Sequence, residues 1–295
     1  MADKFDQYYE NARPEIQGIV GSKVKKILDI GCGAGSMAYQ LKVNNAAEVW
    51  GIEPVETAAK KAVAVLDKVI NSSVEEAIEN LPKYYFDAII FADVLEHLVD
   101  PYTVLSKIKY MLAPDGFVVV SLPNVRHWSV IRGLLEGKWN YEDYGILDST
   151  HLRFFTRTTV NKLFHSSGFE VEEYITSVAD MGEFPKGIVD LLLQNGIDAS
   201  TLEEESKHFQ YIVKAYPATR KFRSAHPMQV SEMINQLFKQ TLSDAKVSSY
   251  STASENCLLA IDIIHRTQLG ELQPILPQFE ALLLKLRALD KTKLV

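Results

Sequence analysis

Short apolar runs alternate with amphipathic stretches over the first two thirds of the chain. Ile27-Leu28-Asp29-Ile30, Val49-Trp50-Gly51-Ile52, Phe86 to Phe91 and Phe117 to Val120 are too short for helices and end in polar or turn residues. They predict buried strands over 26–30, 48–52, 86–91 and 116–121, with a weaker strand near 68–71. Helical spacing fills the gaps. It also precedes the first strand over 4–21, with Tyr8, Tyr9, Ile16 and Ile19 as apolar points and Gly21 as the stop. Strands alternating with helices in this way predict a parallel sheet covered on both faces.

The pattern changes after residue 124. A long aromatic and polar stretch over 124–156 separates the fifth strand from a helix over 158–167, capped by Thr156 and ended by Gly168. A strand over 169–175, helices near 186–195 and 201–207 and a final strand over 209–217 follow. Pro114-Asp115-Gly116 reads as a turn feeding the fifth strand. From 225 onward three helical faces are visible: Val230, Met233, Ile234, Leu237 and Phe238; the run Cys257 to Ile264; and Phe279, Leu282, Leu283, Leu286 and Leu289. Ser248-Ser249-Tyr250-Ser251-Thr252 reads as a loop between the first two. The expected organisation is an α/β domain over 1–220 and a helical module over 225–295 for packing, dimerisation or partner docking. Residues 124–156 form a lid or substrate-binding insertion of the first domain.

The first strand runs directly into Gly31-Cys32-Gly33-Ala34-Gly35-Ser36. Glycines at the carboxyl end of a strand let a ligand approach the main-chain amides, and open α/β sheets bind ligands at that edge. The dinucleotide spacing G-x-G-x-x-G fails at Ser36, and the phosphate-loop spacing fails for want of a lysine.

Four blocks carry a family resemblance. They are Asp29 with the glycine loop, Val49-Trp50-Gly51-Ile52-Glu53-Pro54, the run Phe86 to Pro101 with Asp93-Val94-Leu95-Glu96-His97-Leu98-Val99-Asp100 near its end, and Leu112-Ala113-Pro114-Asp115-Gly116 leading to Pro123-Asn124. In order and content they resemble class I S-adenosylmethionine-dependent methyltransferases over about residues 25–180. The resemblance implies a Rossmann-like, doubly wound, seven-stranded and mostly parallel sheet with an antiparallel last strand, plus the C-terminal helical appendage. It implies S-adenosylmethionine as cofactor, with Asp29, Gly31, Cys32, Gly33 and Gly35 around its methionine end. Glu53, closing the second strand, would accept both ribose hydroxyls; a carboxylate suits a vicinal diol and repels a 2′-phosphate. Ser73 and Val74 would lie by the adenine, although Ser72 stands where the family often has aspartate. Asp93, Val94 and His97 would border the cofactor.

The 295 residues are 47% hydrophobic and 23% charged, as in ordinary globular proteins. A net charge of −7 argues against a nucleic-acid partner. No run reaches the roughly 20 apolar residues of a membrane span, and the first residues lack the apolar core of a secretion signal. With Cys32 and Cys257 as the only cysteines, a cytoplasmic location is expected. Cys32 reads as a small packing residue. No Cys/His pair has ligand spacing, so no metal is expected.

Methyl transfer from a sulfonium is an in-line displacement, and a hydroxyl acceptor must also lose a proton. Asp148-Ser149-Thr150-His151-Leu152-Arg153-Phe154-Phe155-Thr156 resembles a block of bacterial small-molecule methyltransferases of polysaccharide and sugar pathways, and more distantly of quinone O-methyltransferases. His151 is therefore the candidate base; equally, His151 and Arg153 could brace the lid through hydrogen bonds. His97 is the alternative catalytic histidine. Asn124, Arg126, Tyr144 and Arg153 are the candidate substrate contacts. The expected activity is methylation of a sugar, glycoconjugate precursor or hydroxylated metabolite. Two readings stand beside it: a protein or RNA methyltransferase that recruits its target through the C-terminal helices, and a cofactor-binding regulator without turnover.

Overall fold

The computed structural model of the protein describes residues 13–178, 184–224, 227–246, 250–267, 269–270 and 272–292. Residues 4–12 of the expected N-terminal helix, with Tyr8 and Tyr9, lie outside that set, as do Ser248 and Ser249. Tyr250, Ser251 and Thr252, expected in the same loop, instead open the helix Tyr250–Thr267, whose buried stripe already begins at Ala253 and Cys257. The described part of that helix is α1 (Pro14–Val20), with Ile16 and Ile19 buried and Gly21 at its end.

Contacts divide the chain into two compact units. The first runs to Tyr216 without Leu112–Asp115, and the second joins Leu112–Asp115 to the chain from Pro217 onward. In the first unit the apolar runs become β1 (Lys26–Ile30), β2 (Glu48–Ile52), β3 (Lys68–Ile70) and β4 (Phe86–Ala92). Between them come α2 (Ser36–Asn45), α3 (Glu56–Val63) and α4 (Val74–Ala77). Then follow α5 (Pro101–Ile108), β5 (Leu112–Pro123), α6 (Trp128–Leu135), α7 (Arg157–Ser166) and β6 (Phe169–Val178). Helices α8 (Ile188–Gln194) and α9 (Leu202–Glu205) precede β7 (His208–Pro217).

The seven strands are ordered β3-β2-β1-β4-β5-β7-β6. Pairings of β1 with β2 and β4, and of β2 with β3, are parallel, whereas β5 pairs antiparallel with β7. The chain leaves β1 toward one edge and returns to its other side at β4, so β1 and β4 flank the switch point where such sheets bind ligands. Ile27, Leu28 and Ile30 are fully or nearly fully buried on β1, which explains its unbroken apolar run. Asp29 is the strand's one carboxylate, level with Gly51 of β2 and Ile90 of β4.

Pro114-Asp115-Gly116 makes no separate turn; it lies inside β5, which is already extended from Leu112. In the second unit the carbonyls of Ala113 and Pro114 accept from the buried Arg266 guanidinium at 3.1 and 3.4 Å, which holds that stretch straight. Arg266 also donates to Asp262, which accepts from Thr219. Helices α10 (Pro227–Lys246), α11 (Tyr250–Thr267) and α12 (Leu276–Thr292) bury Val230 and Ile234, Cys257 to Ile264 in part, and Phe279, Leu283 and Leu286. Phe238 meets Phe279 edge-on at 5.2 Å. Leu289, expected on that face, is 46% exposed near the end of α12, beyond the last buried position of the stripe. No helix among the described residues is long and apolar enough to cross a membrane.

Candidate active site

The glycine loop opens at the carboxyl end of β1. Gly31 has φ +71°, and a Cβ there would stand 2.6 Å from Val94 Cγ2. Two conditions, a left-handed backbone and close approach of the β4 exit, therefore exclude a side chain. Gly51 faces the loop from β2, and a Cβ on it would lie 2.5 Å from Cys32 Sγ. Cys32 is thus a packing residue, and burial raises its thiol far above the ordinary range, so it offers no nucleophile.

Glu53 is buried at the end of β2. Its Oε2 accepts from Gly33 N at 2.8 Å and its Oε1 from Val55 N at 2.9 Å, tying the glycine loop to the second strand. Asp29 is 2% exposed, and its Oδ1 has no hydrogen-bond partner among the described residues. Burial first, then the charge of Glu53, pushes the Asp29 carboxyl up to about 8, with Arg13 opposing. Ser73 spends its hydroxyl accepting from Glu76 N as the cap of α4, and Val74 is buried behind it.

The raised Asp29 carboxyl carries a stability consequence. A group whose folded pKa lies above its unfolded value stabilises the fold at low pH, and that contribution is lost as pH rises toward the folded value. For the empty protein the window runs from about 4 to about 8. Asp29→Asn should therefore melt above the parent at pH 9, with the gap closing by pH 5. Thermal melts across that range without cofactor check it; an equal gap at both ends contradicts it.

Arg13 is a site residue that no sequence motif marks, beyond its place just before the helix-opening Pro14. It sits in the left-handed region at φ +45° and has a mostly buried side chain. Its guanidinium donates to Glu15, to Asp93 and, at 3.3 Å, to Gln210 Oε1. Asp93, also left-handed at φ +56°, accepts from Ser121 Oγ at 2.7 Å and from Gln210 Nε2 at 2.8 Å. The Asp93 carboxylate is thus a fastening that sets the β4 exit, while the adjoining Val94 closes on Gly31. Arg13→Ala should weaken cofactor binding about tenfold, through loss of a charged hydrogen-bond set. An unchanged dissociation constant in a cofactor titration contradicts this.

A second cluster lies just beyond Val94. Glu96 is fully buried, and its main-chain carbonyl accepts from Leu152 N at 2.8 Å and Arg153 N at 3.0 Å. Those bonds fasten the end of the 124–156 segment to the β4 exit. Neither side-chain oxygen of Glu96 has a hydrogen-bond partner, and burial followed by the charge of Asp93 holds its carboxyl well above the usual range. His151 Nδ1 lies 3.0 Å from the Ile146 carbonyl, to which it can only donate. Its Nε2 then carries the lone pair, 4.0 Å from Glu96 Oε1. Burial, the largest influence on His151, lowers its pKa. The His97 ring stands 4.8 Å from that of His151, and His97 Nδ1 lies 3.2 Å from Thr150 Oγ1. Ligand atoms of Glu96, His97 and His151 all fall within 4.8 Å of one another. Two imidazoles and a carboxylate in that arrangement could hold a divalent transition metal. Sequence spacing offered no such ligand set, because the β4 exit and the far end of the insertion meet only in the fold.

The four expected substrate contacts do not converge. Asn124 is fully buried and braces the structure instead: its Nδ2 donates to the Glu205 and His208 carbonyls at 2.9 and 2.8 Å, and its Oδ1 accepts from Arg126 N. Arg126 pairs with Glu205 at 2.8 Å. Arg153 donates to the Val99 carbonyl, and Tyr144 is 67% exposed. The carbonyls of Glu205 and His208 need donors, which Asn124 supplies, while Arg126 donates to the Glu205 carboxylate and to Thr201 Oγ1. Phe154, not singled out by spacing, packs at 6.3 Å from the His151 ring and 5.4 Å from Trp139, forming an aromatic wall beside the cluster.

A switch-point glycine cradle, two buried carboxylates at adjacent strand ends and an antiparallel seventh strand define the class I methyltransferase architecture. A family model described as a methyltransferase domain matches residues 5–174. The chain belongs to that family, and so to the S-adenosylmethionine-dependent methyltransferases. A ubiquinone biosynthesis O-methyltransferase of Vibrio atlanticus (strain LGP32) is 34% identical over 113 residues, covering 37% of this chain and 46% of that protein. The mitochondrial ubiquinone biosynthesis O-methyltransferase of Homo sapiens is 30% identical over 159 residues, 51% of this chain and 42% of that protein. The chain thus spans less than half the length of these relatives. A SAM-dependent methyltransferase from Archaeoglobus fulgidus shares the fold, with a TM-score of 0.50 at 18% identity, over 72% of this chain and 98% of that one.

Proposed function

We propose that the protein transfers the methyl group of S-adenosylmethionine to a hydroxyl oxygen of a small molecule, with His151 as the proton acceptor. The observation that carries this reading is the orientation of His151, whose Nδ1 is committed to the Ile146 carbonyl while Nε2 stays an acceptor 4.0 Å from Glu96 Oε1 at the β4 exit. The acceptor oxygen attacks the methyl carbon, the carbon–sulfur bond breaks, and sulfur keeps its electron pair in S-adenosylhomocysteine. The hydroxyl proton passes to Nε2. The relatives are O-methyltransferases, which agrees with an oxygen acceptor. The Phe154 and Trp139 wall favours a flat, hydroxylated ring over a sugar. Incubation with isotope-labelled S-adenosylmethionine and two panels, hydroxylated aromatics and free or nucleotide-linked sugars, tests the assignment by mass spectrometry. Label in the aromatic panel supports it, label in sugars alone redirects the substrate class, and label only in added protein or RNA overturns it.

Glu96 favours a second reading of the same cluster. A buried carboxyl with both oxygens unpartnered, facing two imidazoles, suits a divalent cation that would lower the pKa of a bound hydroxyl. Activity lost on chelator dialysis and restored by Mn²⁺ or Zn²⁺ would support the cation; full activity after dialysis leaves His151 acting alone.

A further inference from the structure

We propose that the empty cofactor pocket keeps a proton on Asp29 and that the methyl donor expels it on binding, so that this carboxyl favours donor over spent product. The proposal rests on the cofactor site assigned above. Its basis is a surplus of acid around one cation among the described residues. Asp29 at the end of β1 faces Glu53 at the end of β2, while Asp93 after β4 and Glu15 on α1 share the Arg13 guanidinium. Cys32, a further titratable neighbour, is a buried neutral thiol.

The carboxylates are not equivalent. Glu53 has a main-chain N–H on each oxygen, and Asp93 has Ser121, Gln210 and Arg13. Among the described residues Asp29 Oδ1 has no hydrogen-bond partner, and the residue is buried. Two buried acids that face each other do not both ionise readily, and the one with an unpartnered oxygen holds the proton. Its carboxyl is pushed up to about 8.

The methyl donor reverses that balance. It brings an ammonium group, a sulfonium and one carboxylate, a net positive charge, and its N–H groups can supply the hydrogen bond that Oδ1 lacks. The exchange balances as protonated Asp29 plus donor giving ionised Asp29 with bound donor, the proton leaving to solvent. S-adenosylhomocysteine keeps the ammonium but has lost the sulfonium charge, so it drives the ionisation less strongly and leaves more readily. Below about pH 8 the donor's apparent affinity should fall about tenfold per pH unit. Above it the donor's own ammonium begins to lose its proton. Net release should then reach zero and turn into uptake.

Calorimetric titration of the full chain with S-adenosylmethionine at pH 6.5, in phosphate and in Bis-Tris, reads the proton directly from the difference in heat. Close to one proton released is the expected result, and heat independent of buffer overturns the proposal. Asp29→Asn should release none, bind the donor with less than about twofold change between pH 6 and 7.5, and lose several-fold of its preference for donor over product. Proton release persisting in Asp29→Asn assigns the proton elsewhere and equally overturns it. Should that variant not fold, the parent measurement decides alone. No binding in either buffer would instead sink the cofactor assignment itself.

Discussion

Replacing His151 with alanine is expected to lower kcat by about 10²- to 10⁴-fold, the span of a lost general base. The dissociation constant for S-adenosylmethionine should stay within about twofold, because the proposed donor site is built from the loop and strand ends rather than from His151. Residual activity should rise with pH as solvent hydroxide replaces the missing acceptor. The alternative role, bracing the 124–156 segment, makes a different forecast. The segment is also held by Leu152 and Arg153 donating to Glu96 and by Arg153 to Val99, none of which uses the imidazole. A brace lost at His151 would raise KM and lower thermal stability together, with kcat little changed. His151→Gln separates the cases further: an amide can still donate to the Ile146 carbonyl, but it cannot take up a proton at neutral pH. Full turnover in either variant would remove His151 from the chemistry.

Gly31→Ala should be more severe for the cofactor, with donor binding weakened at least about 100-fold. Two costs combine. Alanine at φ +71° sits in the left-handed region, about 1–2 kcal/mol above its preferred conformations. Its Cβ would also stand 2.6 Å from Val94 Cγ2, a branched side chain with little rotamer freedom. Relief requires either the loop or the β4 exit to move, and the β4 exit is pinned through Asp93 by Ser121, Gln210 and Arg13. Val94→Ala added to Gly31→Ala should recover the steric part and leave the backbone part. Donor titrations of both variants and the pair measure the split. Normal affinity in Gly31→Ala would mean that the donor does not approach this amide.

Strand positions, the glycine cradle and the pairing of Asp29 with Glu53 were legible in the chain because each is a local consequence of burial. A strand covered on both faces must be apolar at successive positions, and a single carboxylate inside one stands out. Thr156 as a cap and the three C-terminal helical stripes were legible for the same reason. Polar side chains were harder to place. Asn124 has the right chemistry for a ligand, yet its amide donates to the Glu205 and His208 carbonyls, and the Ser73 hydroxyl accepts from Glu76 N; no spacing rule foretells such backbone bonds. Arg13 gains its role from Asp93 and Gln210, groups on β4 and β7 that sequence separation hides. Glu96, His97 and His151 likewise meet because the β4 exit and the far end of the insertion exchange backbone hydrogen bonds. Periodicity reports which face of a segment is buried; long-range packing alone sets what a polar group on that face will meet.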